Sequence, residues 1–330
     1  MSAPSRIGPY VLIEEIGRGA MGVVYRGFDP AIGRAVAIKI IRSDPFVPSL
    51  DQDEARRRFA REAGAAGKLS HRGIVTVFHL GNEGEHQYLV MELVAGQSLE
   101  KLLVDGTPVE IPNGLDILRQ LAGALDYAHS HDVIHRDIKP GNILVSPEGM
   151  VKIADFGIAR ILSGTLTQTG MVLGTPAYMA PEQIMAQRVG ARADQFSLAV
   201  VAYQILTGHR PFEASSTADM MHQILYTEPQ LVHAANPLLP LAVDRAFQRA
   251  LCKDPEQRYG TCTEFVTEME RLLIGSRQPG ITGNASPSPK GNLGGLVAAG
   301  GSLPVGSRAA SSSSKSRSIV SVRPTHLFLR

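Results

Sequence analysis

A polar segment near the middle of the chain holds residue types that can act together on a phosphate group. It reads His135-Arg136-Asp137-Ile138-Lys139-Pro140-Gly141-Asn142, and Asp155-Phe156-Gly157 follows it closely. Asp137 is a candidate base and Lys139 a candidate cation. Asn142 and Asp155 carry hard oxygen atoms of the kind that Mg²⁺ prefers. This grouping suits the positioning of a nucleotide's phosphates and metal ions beside a hydroxyl, whereas a solvated polar loop is the alternative.

A second segment is rich in glycine and lies between two predicted strands: Gly17-Arg18-Gly19-Ala20-Met21-Gly22-Val23-Val24. Glycines allow the backbone to turn tightly and to approach phosphate oxygens closely. The G-x-G-x-x-G pattern alone is weak, because a plain glycine-rich hairpin has the same appearance. A dinucleotide-binding fold would need a helix directly after the glycines. Residues 23–27 instead have the pattern of a strand, which disfavours that fold.

Two further elements must position these groups. Residues 36–39, Val-Ala-Ile-Lys, have the pattern of a strand, whose period of two puts Ala37 and Lys39 on the same side. Residues 51–69 have the pattern of a helix, and four of them share its inward face: Phe59, Glu62, Ala66 and Leu69. The carboxylate of Glu62 in that position requires a cationic partner, because burying it alone is unfavourable.

With these motifs the chain resembles the bacterial branch of the eukaryotic-type serine/threonine protein kinases. The resemblance extends from Tyr10 to about Leu273, and residues 36–39, 135–145, 155–160 and 180–183 carry it. It implies an enzyme that transfers the γ-phosphate of ATP to Ser or Thr hydroxyls of proteins. ATP and Mg²⁺ would be its cofactors, with Mn²⁺ as an alternative metal.

The resemblance also assigns catalytic roles. Asp137 would orient the substrate hydroxyl for in-line attack, and Lys139 would neutralise charge on the γ-phosphate. Lys39 would hold the α and β phosphates and would pair with Glu62.

Metal and nucleotide contacts follow in the same way. Asn142 and Asp155 would be the metal ligands. The backbone of Glu92 and Val94 would contact the adenine edge, with Met91 behind it. The whole expected nucleotide-binding set is Ile16, Gly17, Arg18, Gly19, Ala20, Met21, Gly22, Val23, Val24, Ala37, Lys39, Glu62, Glu92, Val94, Asn142, Leu144 and Asp155.

The segment from Gly174 to Glu182 resembles the loop on which kinases dock their protein substrates. By the same resemblance, Glu182 would pair with Arg258 in a structural role. Asp194 would brace the backbone near His135, and its place near a predicted helix start also suits the capping of backbone amides.

The loop between Asp155 and Glu182 contains several hydroxyl side chains: Ser163, Thr165, Thr167, Thr169 and Thr175. We expect autophosphorylation there, at Thr167 or Thr169 in the first place and with Thr165 as a further candidate. A phosphate would add negative charge and attract Arg136. The alternative is that these threonines serve only solubility.

The expected fold is of the α+β class, with two lobes: a small antiparallel β lobe that carries one helix, and a larger, mainly α lobe. Residues 1–9 would be an N-terminal extension. The kinase domain would cover residues 10–275, divided into lobes at 10–94 and 95–275. Residues 276–330 are rich in Gly, Ser and Pro, and we expect a disordered tail there.

Composition limits the partners. The chain has 330 residues, 44% of them hydrophobic, and a formal charge of +2. Residues 276–330 carry seven Lys or Arg and no acidic residue, which leaves 26 basic and 31 acidic residues in the rest. A mildly acidic folded part argues against nucleic acid as the main partner.

Location is predicted from two further observations. Only Cys252 and Cys262 occur, without the spacing of a zinc site or a disulfide framework. No run of about twenty apolar residues is present, so we expect no transmembrane segment. These features predict a soluble, cytoplasmic kinase without a membrane-spanning sensor region. Self-association for autophosphorylation is a further possibility, suggested by the resemblance and by no particular residue.

Two other functions remain open. A pseudokinase would keep the fold without turnover, but it usually lacks a residue of the set Lys39, Asp137, Asn142 and Asp155, all of which are present. A kinase acting on small molecules is the second, and the docking segment at residues 174–182 favours a protein substrate over it.

Overall fold

A computed structural model of the chain describes residues 6–19, 22–41, 64–65, 67–84, 86–156 and 176–275. Most of the predicted helix at residues 51–69 therefore lies outside the described residues, as do the threonines at 165–175 and the tail at 276–330. Residues 64–65 are helical, but the predicted end at residue 69 is wrong, because residues 67–68 form a turn. Among the described residues, no helix combines the length and the apolar character that crossing a membrane would require.

The small lobe is built on one antiparallel sheet, as predicted. Within the described part of the chain it has six strands, in the order β1-β2-β3-β4-β6-β5. Their bounds are β1 Arg6–Ile7, β2 Tyr10–Gly19, β3 Gly22–Asp29, β4 Arg34–Ile41, β5 Val77–Glu83 and β6 His86–Glu92. Strand β1 lies inside the segment expected to be an extension, because Ile7 pairs with Tyr10 and is buried with it.

The sheet buries a different set of side chains on each face, since alternate residues of a strand point to opposite sides. On β4, Val36 and Ile38 pack with Tyr88 and Val90 of β6. Ala37, which lies between them in the sequence, packs on the other face with a second set: Val75, Leu89 and Met91. The second face is the one that carries Lys39.

The glycine-rich segment forms the end of the β2–β3 hairpin, where Gly19 pairs with Gly22. Gly22 has φ of 149°, and a Cβ atom there would lie 2.0 Å from the carbonyl oxygen of Ile40. Only glycine fits this position, because a side chain would collide with the neighbouring strand. The predicted strands on both sides of this segment are confirmed, while residues 20 and 21 between them lie outside the described part of the chain.

The large lobe is mainly helical, as predicted. Its helices are α1 Leu99–Leu102, α2 Ile111–His129, α3 Pro181–Ile184, α4 Ala191–Thr207, α5 Thr217–Tyr226, α6 Val232–Ala235, α7 Ala242–Ala250 and α8 Cys262–Gly275. Helix α4 is buried on nearly every side, in agreement with its apolar sequence. Three short strands, β7 Gln97–Ser98, β8 Ile143–Val145 and β9 Val151–Ile153, form a small sheet beside these helices.

Helices α2 and α8 are joined at the start of α8. The carboxylate of Asp126 accepts the backbone amides of Cys262 and Thr263, each at 2.9 Å. His129 and Cys262 lie close enough to Asp126 for the three to resemble a metal-ligand group. Helix capping explains this cluster, because Asp126 serves the first amides of α8 and His129 bonds to Asp194.

The two lobes are connected beside strand β9. The amide of Val75 donates to the carbonyl of Ile153 at 2.9 Å, and the amide of Ile153 donates to the carbonyl of Gly73 at 2.9 Å. Strand β9 leads directly into Asp155, so these bonds relate the position of Asp155 to that of the small lobe.

Candidate active site

The segment at residues 135–142 is held from below by one buried carboxylate. The carboxylate of Asp194 on α4 accepts a hydrogen bond from the amide of His135 at 2.8 Å and another from the amide of Arg136 at 2.7 Å. The ring of His129 also lies 2.8 Å from Asp194. Burial alone would raise the pKa of Asp194, but these bonds and the neighbouring histidines outweigh it and hold the pKa below its ordinary value.

The predicted bracing role of Asp194 is thus confirmed, but the capping role is not. Asp194 is the fourth residue of α4, and its carboxylate serves the amides of another segment rather than those of its own helix. Arg136 adopts a φ of 69° there, which is rare for a residue other than glycine. Two bonds from the buried carboxylate to consecutive amides maintain this turn.

His135 joins the segment to the one that contains Asp155. Its Nδ1 accepts the amide of Asp137 at 3.1 Å, and its Nε2 lies 2.8 Å from the carbonyl of Ala154. Because a carbonyl only accepts, Nε2 carries a proton and donates it to Ala154. The ring also packs edge-on against Phe156, with centroids 4.6 Å apart. His135 therefore has a positioning role.

Asp137 has one oxygen engaged and one available. Lys139 Nζ donates to its Oδ2 at 2.7 Å, and Asn142 Nδ2 donates to the same atom at 3.0 Å. Asn142 also donates to the carbonyl of Asp137 at 2.8 Å. Within the described residues no donor contacts Oδ1 of Asp137. The structure thus brings together Asp137, Lys139 and Asn142, as expected, and leaves one carboxylate oxygen for a hydroxyl.

Asp155 meets Lys39 across the two lobes. Lys39 Nζ lies 2.6 Å from Asp155 Oδ2, and the lysine side chain is only 6% exposed. Burial would raise the pKa of Asp155, but the charge and the hydrogen bond of Lys39 lower it below the ordinary value. Sequence reasoning paired Lys39 with Glu62, which lies outside the described residues. It also expected an ammonium group of the small lobe to come within reach of carboxylates of the large lobe, and the contact with Asp155 confirms that expectation.

Apolar side chains from both lobes surround Ala37. Val24, Leu89 and Met91 come from the small lobe, and Leu144 and Ala154 come from the large lobe. Val94 also packs against this cluster. Within the described part of the chain, the backbone amide and carbonyl of Val94 take part in no hydrogen bond. The cluster is therefore apolar and shared by both lobes, with free backbone groups at its edge, and the expected positions Val24, Ala37, Val94 and Leu144 all contribute to it.

Glu92, at the end of β6, is held by a lysine that sequence reasoning missed. Lys152 of β9 donates to Glu92 Oε2 at 3.0 Å, and the amide of Thr76 approaches the same oxygen at 3.3 Å. The amide of Glu92 donates to the carbonyl of Thr76 at 2.9 Å. The available signal was a lysine between two apolar residues of a short buried strand, Val151-Lys152-Ile153.

The pair Glu182–Arg258 is confirmed. The guanidinium group makes two parallel bonds of 2.8 Å to the carboxylate, and both side chains are buried. Gln183 adds a contact that was not predicted, since its Nε2 donates to the carbonyl of Arg136 at 2.7 Å. The segment after residue 176 is thereby tied to the segment that contains Asp137.

The remaining expected site residues divide into two groups. Ile16, Gly17, Arg18, Gly19, Gly22 and Val23 line the hairpin of β2 and β3, and Arg18 pairs with Glu15. Three expected nucleotide contacts lie outside the described residues: Ala20, Met21 and Glu62. The candidate phosphorylation sites lie outside them too: Ser163, Thr165, Thr167, Thr169 and Thr175.

Comparisons with known proteins agree with this geometry. Residues 10–269 match the model of the protein kinase domain family. The chain is 38% identical over 263 residues to the probable serine/threonine-protein kinase PknB of Lactococcus lactis, which covers 79% of this chain and 41% of that protein. It is 36% identical over 271 residues to the serine/threonine-protein kinase PrkC of Bacillus subtilis, covering 82% and 41% of the two chains. Against the serine/threonine-protein kinase PknL of Mycobacterium tuberculosis, identity is 34% over 264 residues, with 80% and 65% covered.

The matched region thus spans about two fifths of the length of the first two relatives. It contains the hairpin of glycines, Lys39, and the segments of Asp137 and Asp155 in a single arrangement of two lobes. Because the family match covers most of the chain and the relatives are bacterial, the protein belongs to the protein kinase domain family, in its bacterial eukaryotic-type serine/threonine branch.

Proposed function

We propose that this protein is an ATP- and Mg²⁺-dependent kinase that phosphorylates Ser and Thr hydroxyls of other proteins. One observation carries the proposal: Asp137 has a free oxygen beside Lys139, while Lys39 and Asp155 meet at the boundary of the two lobes. A hydroxyl site and a phosphate site are therefore adjacent. The names of the similar proteins support the same substrate class.

Asn142 and Asp155 fit a divalent cation. The Nδ2 of Asn142 is engaged with Asp137, and no described donor contacts its Oδ1. Lys39 contacts Oδ2 of Asp155, and Oδ1 has no donor among the described residues. The amide of Ala154 donates to the carbonyl of Asn142 at 2.9 Å and so keeps the two ligands near each other. Oxygen donors of this kind suit Mg²⁺, with Mn²⁺ as an alternative; the ion would supply positive charge to the phosphates.

The chain's own residues supply positioning. Oδ1 of Asp137 accepts the hydrogen bond of the substrate hydroxyl and directs that oxygen toward the phosphate. Lys139, 2.7 Å from the same carboxylate, provides positive charge where the transferred group passes. Phosphoryl transfer has a loose transition state, so orientation and charge contribute more than a strong base does.

The apolar cluster around Ala37 is proposed to contact the adenine ring. Four of its members, Val24, Met91, Leu144 and Ala154, come from both lobes, so the nucleotide would be enclosed between the lobes. The free backbone groups of Val94 and the backbone of Glu92 would bond to the adenine edge. The β2–β3 hairpin would cover the phosphates, since Gly22 allows the two strands to approach closely.

Transfer of radiolabelled phosphate from ATP to a mixed protein substrate tests the proposal. We expect incorporation that requires a divalent cation and that continues with Mn²⁺ at a different rate. In Asp137→Asn the rate of incorporation should fall by about two to four orders of magnitude. Phosphoamino-acid analysis should find phosphoserine and phosphothreonine. Nucleotide binding without transfer would favour a pseudokinase. Transfer to small molecules but to no protein would favour the other rival class.

We further propose that the enzyme is activated by autophosphorylation in the loop at residues 155–182, at Thr167 or Thr169, with Thr165 as an additional site. The backbone of Arg136 is held at a φ of 69° by hydrogen bonds to Asp194 and Gln183, which supports a fixed position for the residue that a phosphate would attract. Transfer between two copies would require self-association. Undiminished turnover after replacing Thr167 and Thr169 with alanine would contradict the proposal.

Location in the cytoplasm is part of the same proposal. ATP is available there, and both cysteines of the chain, Cys252 and Cys262, are free thiols, which suits a reducing compartment. Fractionation of cells that express the full-length protein would test it, and recovery with the membranes would contradict it.

A further inference from the structure

We infer that Gln120 of helix α2 positions the two proposed metal ligands, Asn142 and Asp155, through the hairpin of strands β8 and β9. This inference rests on the proposed kinase function and adds a residue to its machinery. Neither the motifs nor the family resemblance assigned Gln120 to the site. It is a positioning residue, because its contacts are with backbone groups of the hairpin and not with the ligands themselves.

The first observation is that the carboxamide of Gln120 bonds to the hairpin turn with both of its ends. Its Nε2 donates to the carbonyl of Gly149 at 2.9 Å, and its Oε1 accepts a hydrogen bond from the amide of Val151 at 3.0 Å. Nε2 also donates to Oδ2 of Asp116 at 3.1 Å, one helical turn earlier. Two acceptors on one side and a donor on the other fix the orientation of the carboxamide, since only its nitrogen donates.

The second observation is that this hairpin connects directly to both metal ligands. Strand β8 begins at Ile143, the residue after Asn142, and strand β9 ends at Ile153, two residues before Asp155. Ile143 pairs with Ile153 at the base of the hairpin. Each strand has only 3 residues, so the turn and the base are about 10 Å apart. A shift at the turn therefore changes the position of the two ligands.

The third observation is that the outer edge of β9 is held from outside the sheet. Strand β9 is an end strand in the order β7-β8-β9, and the outward amides of an end strand have no partner in the sheet. Gln120 binds the amide of Val151, and the carbonyl of Gly73 binds that of Ile153 at 2.9 Å. Without Gln120, the described part of the chain would hold this edge only near Ile153. The turn end of β9 could then tilt away from α2.

The side chain of Gln120 is only half-buried and lies outside the apolar core of the large lobe. Its bonds therefore contribute less to overall stability than to the placement of the hairpin. Residues that hold a metal ligand from behind orient that ligand, and their loss typically lowers metal affinity or activity by about ten- to a hundredfold. We therefore expect metal affinity to depend on Gln120 more than folding does.

Gln120→Leu tests the inference, because leucine is similar in size and forms neither bond. With a non-hydrolysable ATP analogue bound, the affinity for Mn²⁺ measured by electron paramagnetic resonance should fall about tenfold. The rate of phosphate transfer should fall by a similar factor at limiting Mg²⁺ and by much less at saturating Mg²⁺. Gln223→Leu on α5 is the matched control, because that carboxamide also donates to a backbone carbonyl, that of Glu213 at 2.9 Å. It should keep the wild-type Mn²⁺ affinity and transfer rate.

Gln120→Glu adds a pH signature that a general loss of stability would not produce. An ionised glutamate accepts a hydrogen bond from Val151 but cannot donate to Gly149, whereas a protonated one can donate again. The carboxylate of Asp116 would raise the pKa of the introduced glutamate. The ratio of the variant's transfer rate to that of the wild type should therefore rise about threefold or more from about pH 8 to about pH 5.5.

The other charged groups near this position are accounted for. Arg119 bonds to Asp116 at 3.2 Å and to Glu270 of α8 at 2.9 and 3.1 Å. Glu148 precedes Gly149 in the turn, and a hydrogen bond from Ser146 lowers the pKa of Glu148, so it stays ionised over this range. Adding Asp116→Asn to Gln120→Glu should move the recovery to lower pH, because the like charge that favours protonation is removed.

Wild-type Mn²⁺ affinity in Gln120→Leu, or a rate ratio for Gln120→Glu that is the same at both ends of the pH range, would overturn the inference alone. If Gln120→Leu fails to fold, the pH profile of Gln120→Glu decides. Absence of phosphate transfer by the wild type would overturn the proposed function. The Mn²⁺ affinities would then still decide whether Gln120 holds the two ligands in place.

Discussion

Lys39 Nζ, on strand β4 of the small lobe, lies 2.6 Å from Oδ2 of Asp155 in the large lobe. The two residues are 116 positions apart in the sequence. Both belong to the proposed nucleotide site, so the pair joins the phosphate-binding cation to a metal ligand. Without a nucleotide, each charge neutralises the other. With a triphosphate bound, Lys39 would contact the phosphates and Asp155 would contact the metal ion.

Replacing Lys39 with methionine should lower kcat/KM for ATP by about two to three orders of magnitude, because a buried cation aimed at the phosphates is lost. The change also leaves Asp155 without its partner. Phosphate-transfer rates and the affinity of a fluorescent ATP analogue measure the effect. Lys68→Met, at an exposed position, is the control. Equal activity of Lys39→Met and Lys68→Met would contradict the assignment of Lys39.

Replacing Asp194 with asparagine should lower kcat while KM for ATP changes little, since Asp194 acts on the Asp137 segment through the amides of His135 and Arg136. We expect a loss of about two orders of magnitude. Steady-state kinetics with varied ATP checks this, and circular dichroism establishes that the variant is folded. A rise in KM with unchanged kcat would contradict it.

The contribution of Asp194 to the free energy of unfolding should depend on pH. The pKa of Asp194 in the folded protein is below its ordinary 3.8. The carboxylate therefore contributes stability that is complete above about pH 4 and is lost as pH falls through the folded pKa. The difference in urea midpoint between the wild type and Asp194→Asn should narrow from pH 7 toward pH 3. Asp105→Asn, at an exposed site, should show no such trend.

Breaking the Glu182–Arg258 pair should destabilise the large lobe. Both side chains are buried and make two 2.8 Å bonds, so Arg258→Met would leave a buried carboxylate unpaired. We expect a loss of about 3–5 kcal/mol in the free energy of unfolding. The double replacement Glu182→Gln with Arg258→Met should lose less than the two single changes added together. Urea unfolding of the four proteins measures this, and strict additivity would contradict the coupling.

Lys152 should affect nucleotide affinity rather than catalytic rate. It holds Glu92 at 3.0 Å, next to the proposed adenine contacts. Lys152→Met should therefore raise KM for ATP about fivefold to tenfold with little change in kcat, as the loss of a charge-assisted bond allows. Lys152→Arg should restore most of the affinity. A fall in kcat alone, or no rescue by arginine, would show that Lys152 has only a structural role.

The pattern of strands and helices was largely predictable, because it depends on local periodicity. Residues 36–41 alternate between two apolar clusters as a strand must, and residues 191–207 are apolar on nearly every side as a buried helix must be. The boundary at residue 6 was not predictable, since two residues of strand β1 carry too short a pattern. Its pairing with β2 depends on the burial of Ile7.

The active-site segments were also recognisable, since their residue types lie close together in the sequence. The contacts among Asp137, Lys139 and Asn142 span no more than five residues. The pair Glu182–Arg258, 76 positions apart, was predictable only because the family resemblance supplied it. No spacing rule relates residues so distant.

By itself, the sequence determined which chemical groups this protein has and which short segments carry them, because local spacing decides what lies on one strand face or within one loop. Only the tertiary structure decided the distant pairings: Lys39 with Asp155, and Lys152 with Glu92. These depend on how two lobes and a small sheet pack together. A charge finds its partner in space, and packing rather than sequence distance determines which opposite charge is nearest.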